Sequence, residues 1–316
     1  MRHSTSQKHT IHFIIVLLVA LASLVATLNA QITVSQDFTD AIDYAVKLML
    51  KDSSFTSKYE ELMGLANPLC GSGLTAFPTK NPFVGRTNLT MCFEDDAVYP
   101  YSEVFHLVGK SIVSLINTNY KTNLAYAYRT YNLAALGFFE TMAKAVNNGE
   151  CDVVTSNVAQ NEAREQKAHF QCNYGYSSPA YMRSNLDPSI STPTAPQLNR
   201  TDVKIGFLKG TIYQNTVQTQ FSGAQLVPFG DYTSLYAAVS TNVTVHAIVG
   251  DTIEFKQFLK LNTTGCTNCT VRLFSDPYLF GTITTRNIGR VSLGISLFQG
   301  FGTLILSILL SLIYLM

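Results

Sequence analysis

Charge is scarce in this sequence. Asp, Glu, Lys and Arg make up 14% of its 316 residues and nearly cancel, leaving a net +1 with no basic stripe. A nucleic-acid partner therefore has no electrostatic footprint. No long, acidic, polar tract has the composition of a disordered segment. Catalytic signatures are missing as well: there is no GxSxG, HExxH, P-loop or GxGxxG. Only His106, His169 and His246 lie beyond the first apolar segment, and nothing gathers them into one place. Hydrolase and metalloenzyme chemistry has no support, and neither a cofactor nor a metal is expected. No internal repeat of solenoid period occurs.

Apolar residues are plentiful, at 47%, and two runs account for part of the excess. The first spans Ile11 to Ala30, behind Arg2 and Lys8. A basic start, an apolar middle and a small residue at its end read as a secretory signal over residues 1–30. Leu28 is a poor residue for the cleavage site, so an uncleaved signal anchor is the alternative. Either way the rest of the chain lies outside the cell. The second run, Val291 to Met316, is long enough to span a bilayer. No Lys or Arg follows it, whereas a stop-transfer helix has a basic cytoplasmic flank. It is therefore read as a GPI-attachment signal, with Ser292, Gly294 and Ser296 as candidate attachment residues. A transmembrane helix and a buried helix are the alternatives.

Five N-x-Ser/Thr sequons follow the signal, at Asn88, Asn199, Asn242, Asn262 and Asn268. With a signal segment they fit a glycosylated protein of the secretory route. Six cysteines, Cys70, Cys92, Cys151, Cys172, Cys266 and Cys269, fit an oxidising compartment. Pairing of neighbours (70 with 92, 151 with 172, 266 with 269) is the simplest of about 15 connectivities. Cys266-x-x-Cys269 lacks the two further ligands that zinc requires. It reads as a tight structural disulfide or a pair of free thiols.

Along the chain, Phe38, Ile42, Ala45, Leu48 and Met49 fall on one helical face within Asp37 to Asp52. A Gly/Pro/Asn-rich loop, Gly64 to Gly85, follows. From Arg86, short apolar strands at Thr90–Phe93, Leu124–Tyr128 and Cys151–Thr155 alternate with helices at Phe105–Asn119, Leu136–Asn147 and from Asn161. After a Pro/Ser/Thr-rich linker, Asp187 to Gln197, a second series begins. Strands at Val203–Leu208, Gln225–Phe229, Val245–Val249 and Thr270–Phe274 alternate with helices at Ile212–Phe221, Thr233–Ser240 and Ile253–Leu261. Such alternation predicts parallel-sheet α/β lobes.

Three positions at strand-to-helix junctions carry recognition chemistry. Arg164 sits in the first turn of a helix beside the carboxyl end of a strand, where α/β sheets bind ligands. Its planar guanidinium suits a carboxylate; a solvated Arg on a charged helix face is the plain alternative. At Gly210-Thr211 a glycine lets the backbone approach and a helix begins, which favours an anion. Thr211-x-x-Gln214 is also a capping box. Asp251 ends an apolar strand and could accept an ammonium, or could merely cap its helix in Asp251-x-x-Glu254.

Jointly these stretches resemble the extracellular solute-binding protein family 3, related to the ligand-binding domain of ionotropic glutamate receptors. Asp152, Arg164 and Phe170 fall in the family's register. Lys209-Gly210-Thr211-Ile-Tyr213, Pro228-Phe229-Gly-Asp-Tyr232 and His246-Ala-Ile-Val-Gly-Asp251 are similar to its other motifs, and Asp96-Ala-Val-Tyr99-Pro100-Tyr101 more loosely so. The similarity covers Arg86 to Arg286. It implies an α/β, two-lobed Venus flytrap of the periplasmic-binding-protein type II. Lobe 1 comprises 86–178 with a return over 272–290, lobe 2 comprises 179–271, and 31–85 form an extension on lobe 1 ahead of the apolar tail, 291–316. Carried over, Arg164, Thr211 and Gly210 hold a ligand carboxylate, Asp251 its ammonium, and Tyr99 or Tyr101 its side chain, with Asn161 in the turn before Arg164. The family's Thr-x-Thr turn is Ala159-Gln160-Asn161 here.

The expected function is capture of an amino acid or small carboxylate at the outer face of the plasma membrane, for sensing or scavenging. The tail supplies the tether, and any co-receptor is a separate chain. A cyclohexadienyl-dehydratase-like enzyme on the same fold and a degenerate, non-binding surface protein are the alternatives. The sequons generate the first test. Glycosidase treatment of protein from a eukaryotic host is expected to increase its gel mobility; an unchanged mobility with the protein in the cytosol overturns the topology.

Overall fold

The computed structural model describes residues 34–71, 73–184, 194–240, 244–261, 266 and 269–288. Both apolar runs, the sequons Asn242, Asn262 and Asn268, and most of the 187–197 linker lie outside the described residues. Among the described residues no helix is long and apolar enough to cross a membrane. Residues 35–287 form one compact unit. Val34 and Ile288, which belong to a second, form a parallel bridge with each other.

The compact unit holds two five-stranded sheets. The first contains β1 (Asn88–Glu94), β2 (Ala125–Tyr131), β3 (Val153–Ala159), β4 (His169–Ser177) and β10 (Tyr278–Thr284) in the order β2-β1-β3-β10-β4. The second contains β5 (Pro179–Ser184), β6 (Lys204–Leu208), β7 (Gln225–Phe229), β8 (Ala247–Asp251) and β9 (Cys269–Leu273) in the order β7-β6-β8-β5-β9. In each sheet three strands run parallel, and the two that cross between lobes join antiparallel. The chain crosses at Ser178 and again between Leu273 and Tyr278. The second sheet thus keeps its chain to Leu273, beyond the boundary expected at 271.

Burial follows strand position. Central β3 is buried at six of seven residues, whereas edge strand β2 has none buried. Parallel strands covered on both faces favour apolar runs, and in Val153–Ala159 the polar Thr155, Ser156 and Asn157 interrupt the apolar residues while Thr155 and Ser156 are still buried. The helices that cover the first sheet are α1 (Gln36–Met49), α2 (Ser53–Met63), α3 (Tyr101–Tyr120) and α4 (Phe138–Asn147), with the single turn α5 (Glu162–Glu165) after β3. Ser35 caps α1 by accepting from the Phe38 amide, and Asp52 caps α2 by accepting from the Ser54 amide. Gly64 ends α2 at φ 68°, a left-handed turn that glycine adopts without strain. α1 and α2 pack on α3, and α1 also meets β4. Arg86 pins this corner: it pairs with Asp152 at 2.6 Å and lies over the Phe38 ring. On the second sheet lie α6 (Ala195–Leu198), α7 (Ile212–Gln220), α8 (Tyr232–Ser240) and α9 (Thr252–Leu261).

Two of the three expected disulfides are corrected. The bonds are Cys70–Cys172, Cys92–Cys151 and Cys266–Cys269. Neighbours along the chain are not neighbours in a parallel sheet. β1 pairs with β3 with Met91 opposite Val153 and Cys92 opposite Val154, which brings Cys92 close to Cys151, two residues before β3 begins. Cys172 lies on edge strand β4, residues 68–71 and 73–75 line a pocket with it, and Cys70 meets it there.

Peptide mapping without reduction is expected to recover Cys92 joined to Cys151 and Cys70 joined to Cys172. Replacing Cys92 and Cys151 by serine is expected to cost about 2–5 kcal/mol in chemical unfolding. A peptide joining Cys70 to Cys92 contradicts this topology.

Candidate functional site

The two lobes meet at the carboxyl ends of their parallel strands. Here β3 ends at Ala159, and Asn161 caps α5 by accepting from the Arg164 amide at 3.0 Å. That single turn aims Arg164 back under the sheet, where it is 7% exposed. Its guanidinium donates to the Ala159 carbonyl at 2.9 Å and, across the lobe junction, to the Gly210 carbonyl at 3.1 Å. The Phe139 ring lies beneath it, 4.7 Å away. No carboxylate forms an ion pair with Arg164 among the described residues. Burial lowers its pKa to about 10, so the side chain stays charged at neutral pH.

Gly210 comes from the other lobe, in the turn between β6 and α7. The N-terminus of α4 receives that turn: Phe138 N–H donates to the Lys209 carbonyl at 3.2 Å and Phe139 N–H to the Gly210 carbonyl at 3.3 Å. The approach requires glycine on both sides. Gly137 and Gly210 have φ of 78° and 76°, and a Cβ on either would meet backbone of the other lobe at 2.8 Å. The Gly210 carbonyl oxygen thus occupies a position shared by a guanidinium and a helix N-terminus, both of which favour an anion.

Thr211 begins α7, but its hydroxyl donates to the Leu208 carbonyl at 2.7 Å. Gln214 accepts from the Gly210 amide instead, so the expected capping box does not form. Thr211 and Arg164 line one small cavity of about 10 Å³ with Asn157, Ala159, Tyr213 and Tyr278, about the room one water needs. Asp251, at the end of β8, is fully buried and does not line it. One oxygen caps α9 through the Ile253 and Glu254 amides, and the other accepts from the Ser177 hydroxyl, with the Tyr213 hydroxyl at 3.5 Å. The cap foreseen for Asp251 is therefore present. Tyr101 is buried in α3, Tyr99 is exposed beside it, and neither lines the cavity; Tyr213, Tyr232 and Tyr278 do.

The sequence reading passed over Ser177, Tyr278, Glu94 and Glu254. Ser177 and Tyr278 flank the two crossings, where no motif marks them. Glu94, at the end of β1, is 3% exposed and accepts from Ser156 at 2.6 Å. Burial lifts its pKa to about 7. Glu254, 4% exposed, accepts from the Tyr232 hydroxyl at 3.2 Å, and burial raises its pKa strongly, with the nearby Asp251 and Glu94 adding to it. Asp251 has four described donors around it and Glu254 one, so Glu254 takes up a proton more readily than Asp251.

No family model matches the sequence, and no curated protein matches it. Solved structures do. The chain is similar to an ancestral amino-acid-binding protein, a precursor of cyclohexadienyl dehydratase, at 14% identity and TM-score 0.53, over 65% of this chain and 85% of that one. It is similar to arginine-bound ArgBP from T. maritima (a Gly52Ala mutant) at 14% identity and TM-score 0.52, over 65% and 91%. A third is the amino acid ABC transporter substrate-binding protein AbpA from Streptococcus pneumoniae bound to L-arginine, at 15% identity and TM-score 0.51, over 64% and 82%. The likeness establishes the fold: a two-lobed α/β architecture of the periplasmic-binding-protein type.

Proposed function

We propose that this chain captures an amino acid or a related small carboxylate in the cleft between its two lobes. The observation that carries this reading is Arg164, a buried cation that pairs with no acid among the described residues and is held by two carbonyls and a ring. Burying an unpaired charge is costly, and a carboxylate would stabilise it better than a carbonyl does. Opening the lobes removes the Gly210 oxygen from the guanidinium, and a ligand carboxylate takes its place. Thr211 lies in the same cavity, and Asp251 lies behind Tyr213, where an ammonium would reach it after a change in Ser177 or Tyr213. The three neighbours are amino-acid-binding proteins by description, which agrees with this use of the fold. With the signal segment, sequons and apolar tail, the proposal extends to capture at the outer face of the plasma membrane, for sensing or scavenging.

One observation favours a second reading. The cavity of about 10 Å³ cannot hold an amino acid as it stands, and Gly210 already fills the guanidinium fork. A cleft closed permanently on itself would serve as a surface interaction domain.

Calorimetry on the chain secreted from a eukaryotic host, against free amino acids and small carboxylates, separates the two. A ligand is expected to bind, and Arg164→Ala to weaken it by roughly 100-fold or more, from about 3–5 kcal/mol for breaking a buried pair. Equal affinity in Arg164→Ala refutes the carboxylate assignment. If no ligand binds either the wild type or Gly210→Ala, the permanently closed cleft is the better description.

A further inference from the structure

The junction between the lobes is acidic on both sides. From the first lobe come Glu94 and Asp96, at and just beyond the end of β1. From the second come Asp251 and Glu254, at the junction of β8 and α9. Asp96 reaches across: one of its oxygens accepts from the Tyr232 amide at 3.1 Å, and the Tyr232 hydroxyl donates onward to Glu254. Asp96 Oδ1 and Glu254 Oε2 are buried without a hydrogen-bond partner. The charge effects on the cluster come largely from further acids and phenols: Asp95 beside Asp96, Asp231 just before α8, Tyr236 on α8, Tyr101 on α3, Tyr213 on α7 and Tyr278 on β10. The buried cation Arg164 faces the same junction, lining one cavity with Tyr213, Tyr232 and Tyr278. None of the four carboxyls forms an ion pair among the described residues, and no group of acids, histidines or cysteines there is arranged to hold a metal ion.

Bringing these groups together as carboxylates sets like charges facing one another out of water, with Asp96 Oδ1 and Glu254 Oε2 lacking a partner among the described residues, which is unfavourable on both counts. A proton on Glu254 removes one charge and converts an orphan acceptor into a donor. A proton on Glu94 removes a second. We infer that closure of the two lobes takes up protons at the Glu94–Asp96–Glu254 cluster, so that the cleft closes in acid and opens as pH rises.

The sign follows from the direction of the shifts. In the closed form Glu94 is raised from an ordinary 4.5 to about 7, and Glu254 and Asp96 are raised in the same direction, each through burial first; the part of that burial that the facing lobe supplies is gained on closure. A group whose pKa is raised in the closed state favours closure fully below its ordinary value. That contribution is lost as pH climbs through the raised one. The window is therefore about pH 4.5 to 7 for Glu94, and each proton taken up changes the closure equilibrium by up to about tenfold per pH unit.

The inference rests on reading the junction as a cleft that opens, and its test requires no ligand. Amide hydrogen exchange on the secreted chain follows Phe138, Phe139 and Tyr232, whose N–H groups bridge the lobes, with amides within β3 as the control for folding. After correction for intrinsic exchange, protection of the bridging amides is expected to fall at least about tenfold between about pH 5 and pH 8, while the β3 control stays constant. The double variant Glu94→Gln with Glu254→Gln, permanently uncharged at both positions, is expected to hold its high protection across the range. A flat profile in the wild type overturns the inference whatever the variants do. An unchanged slope in a folded double variant, or in both single variants where the double fails to fold, overturns it too. A chain that binds no amino acid can still pass, and one that binds can still fail, so the two readings are tested separately.

Discussion

The closed form of this molecule turns on one buried cation and the oxygen that satisfies it. Arg164 is supplied by one lobe and the Gly210 carbonyl by the other. The surrounding features serve that contact. Gly137 and Gly210 allow two backbones to touch, the α4 N-terminus donates to the Lys209 and Gly210 carbonyls, and Phe139 closes the underside of the guanidinium. The interaction is also replaceable. A neutral carbonyl meets an arginine less strongly than a carboxylate does, which leaves free energy available for a ligand of the right charge.

Much of the architecture was legible because parallel strands and amphipathic helices have distinct periods. Cys151–Thr155 and Val245–Val249 stand out as strands in the sequence, and the strands formed there, Val153–Ala159 and Ala247–Asp251, are central in their sheets. What escaped detection has physical causes. β4 and β10 are antiparallel partners carrying Gly175 and Gly281 and shifts of register, so neither shows a clean alternation. Ser53–Met63 is a helix whose buried residues, Phe55, Tyr59 and Met63, are too few to dominate its polar neighbours. Two of the three disulfide pairings failed because sheet order, not chain order, decides which cysteines meet, while Cys266–Cys269 formed as expected.

Strand ends mark ligand positions in α/β folds, and Arg164, Thr211 and Asp251 were picked out on that basis; Arg164 and Thr211 line one cavity, whereas Asp251 lies outside it. Their partners could not be picked out. That Gly210 would present its carbonyl to Arg164 depends on how two lobes meet, which no local pattern encodes. Glu254 was readable only as half of a helix cap. Its burial opposite Glu94 and Asp96 appears once the lobes are assembled, and it gives the closed state an acid character that the net charge of +1 conceals.

The central claim, that Arg164 exchanges the Gly210 oxygen for a ligand carboxylate, is tested most directly by a double-mutant cycle. Affinities of a bound amino acid and of its carboxamide analogue are measured against the wild type and Arg164→Ala. The account predicts that the wild type prefers the carboxylate by roughly 100-fold, from about 3 kcal/mol of coupling, and that the preference collapses in the variant. An equal preference in both proteins would place the carboxylate elsewhere and contradict the account.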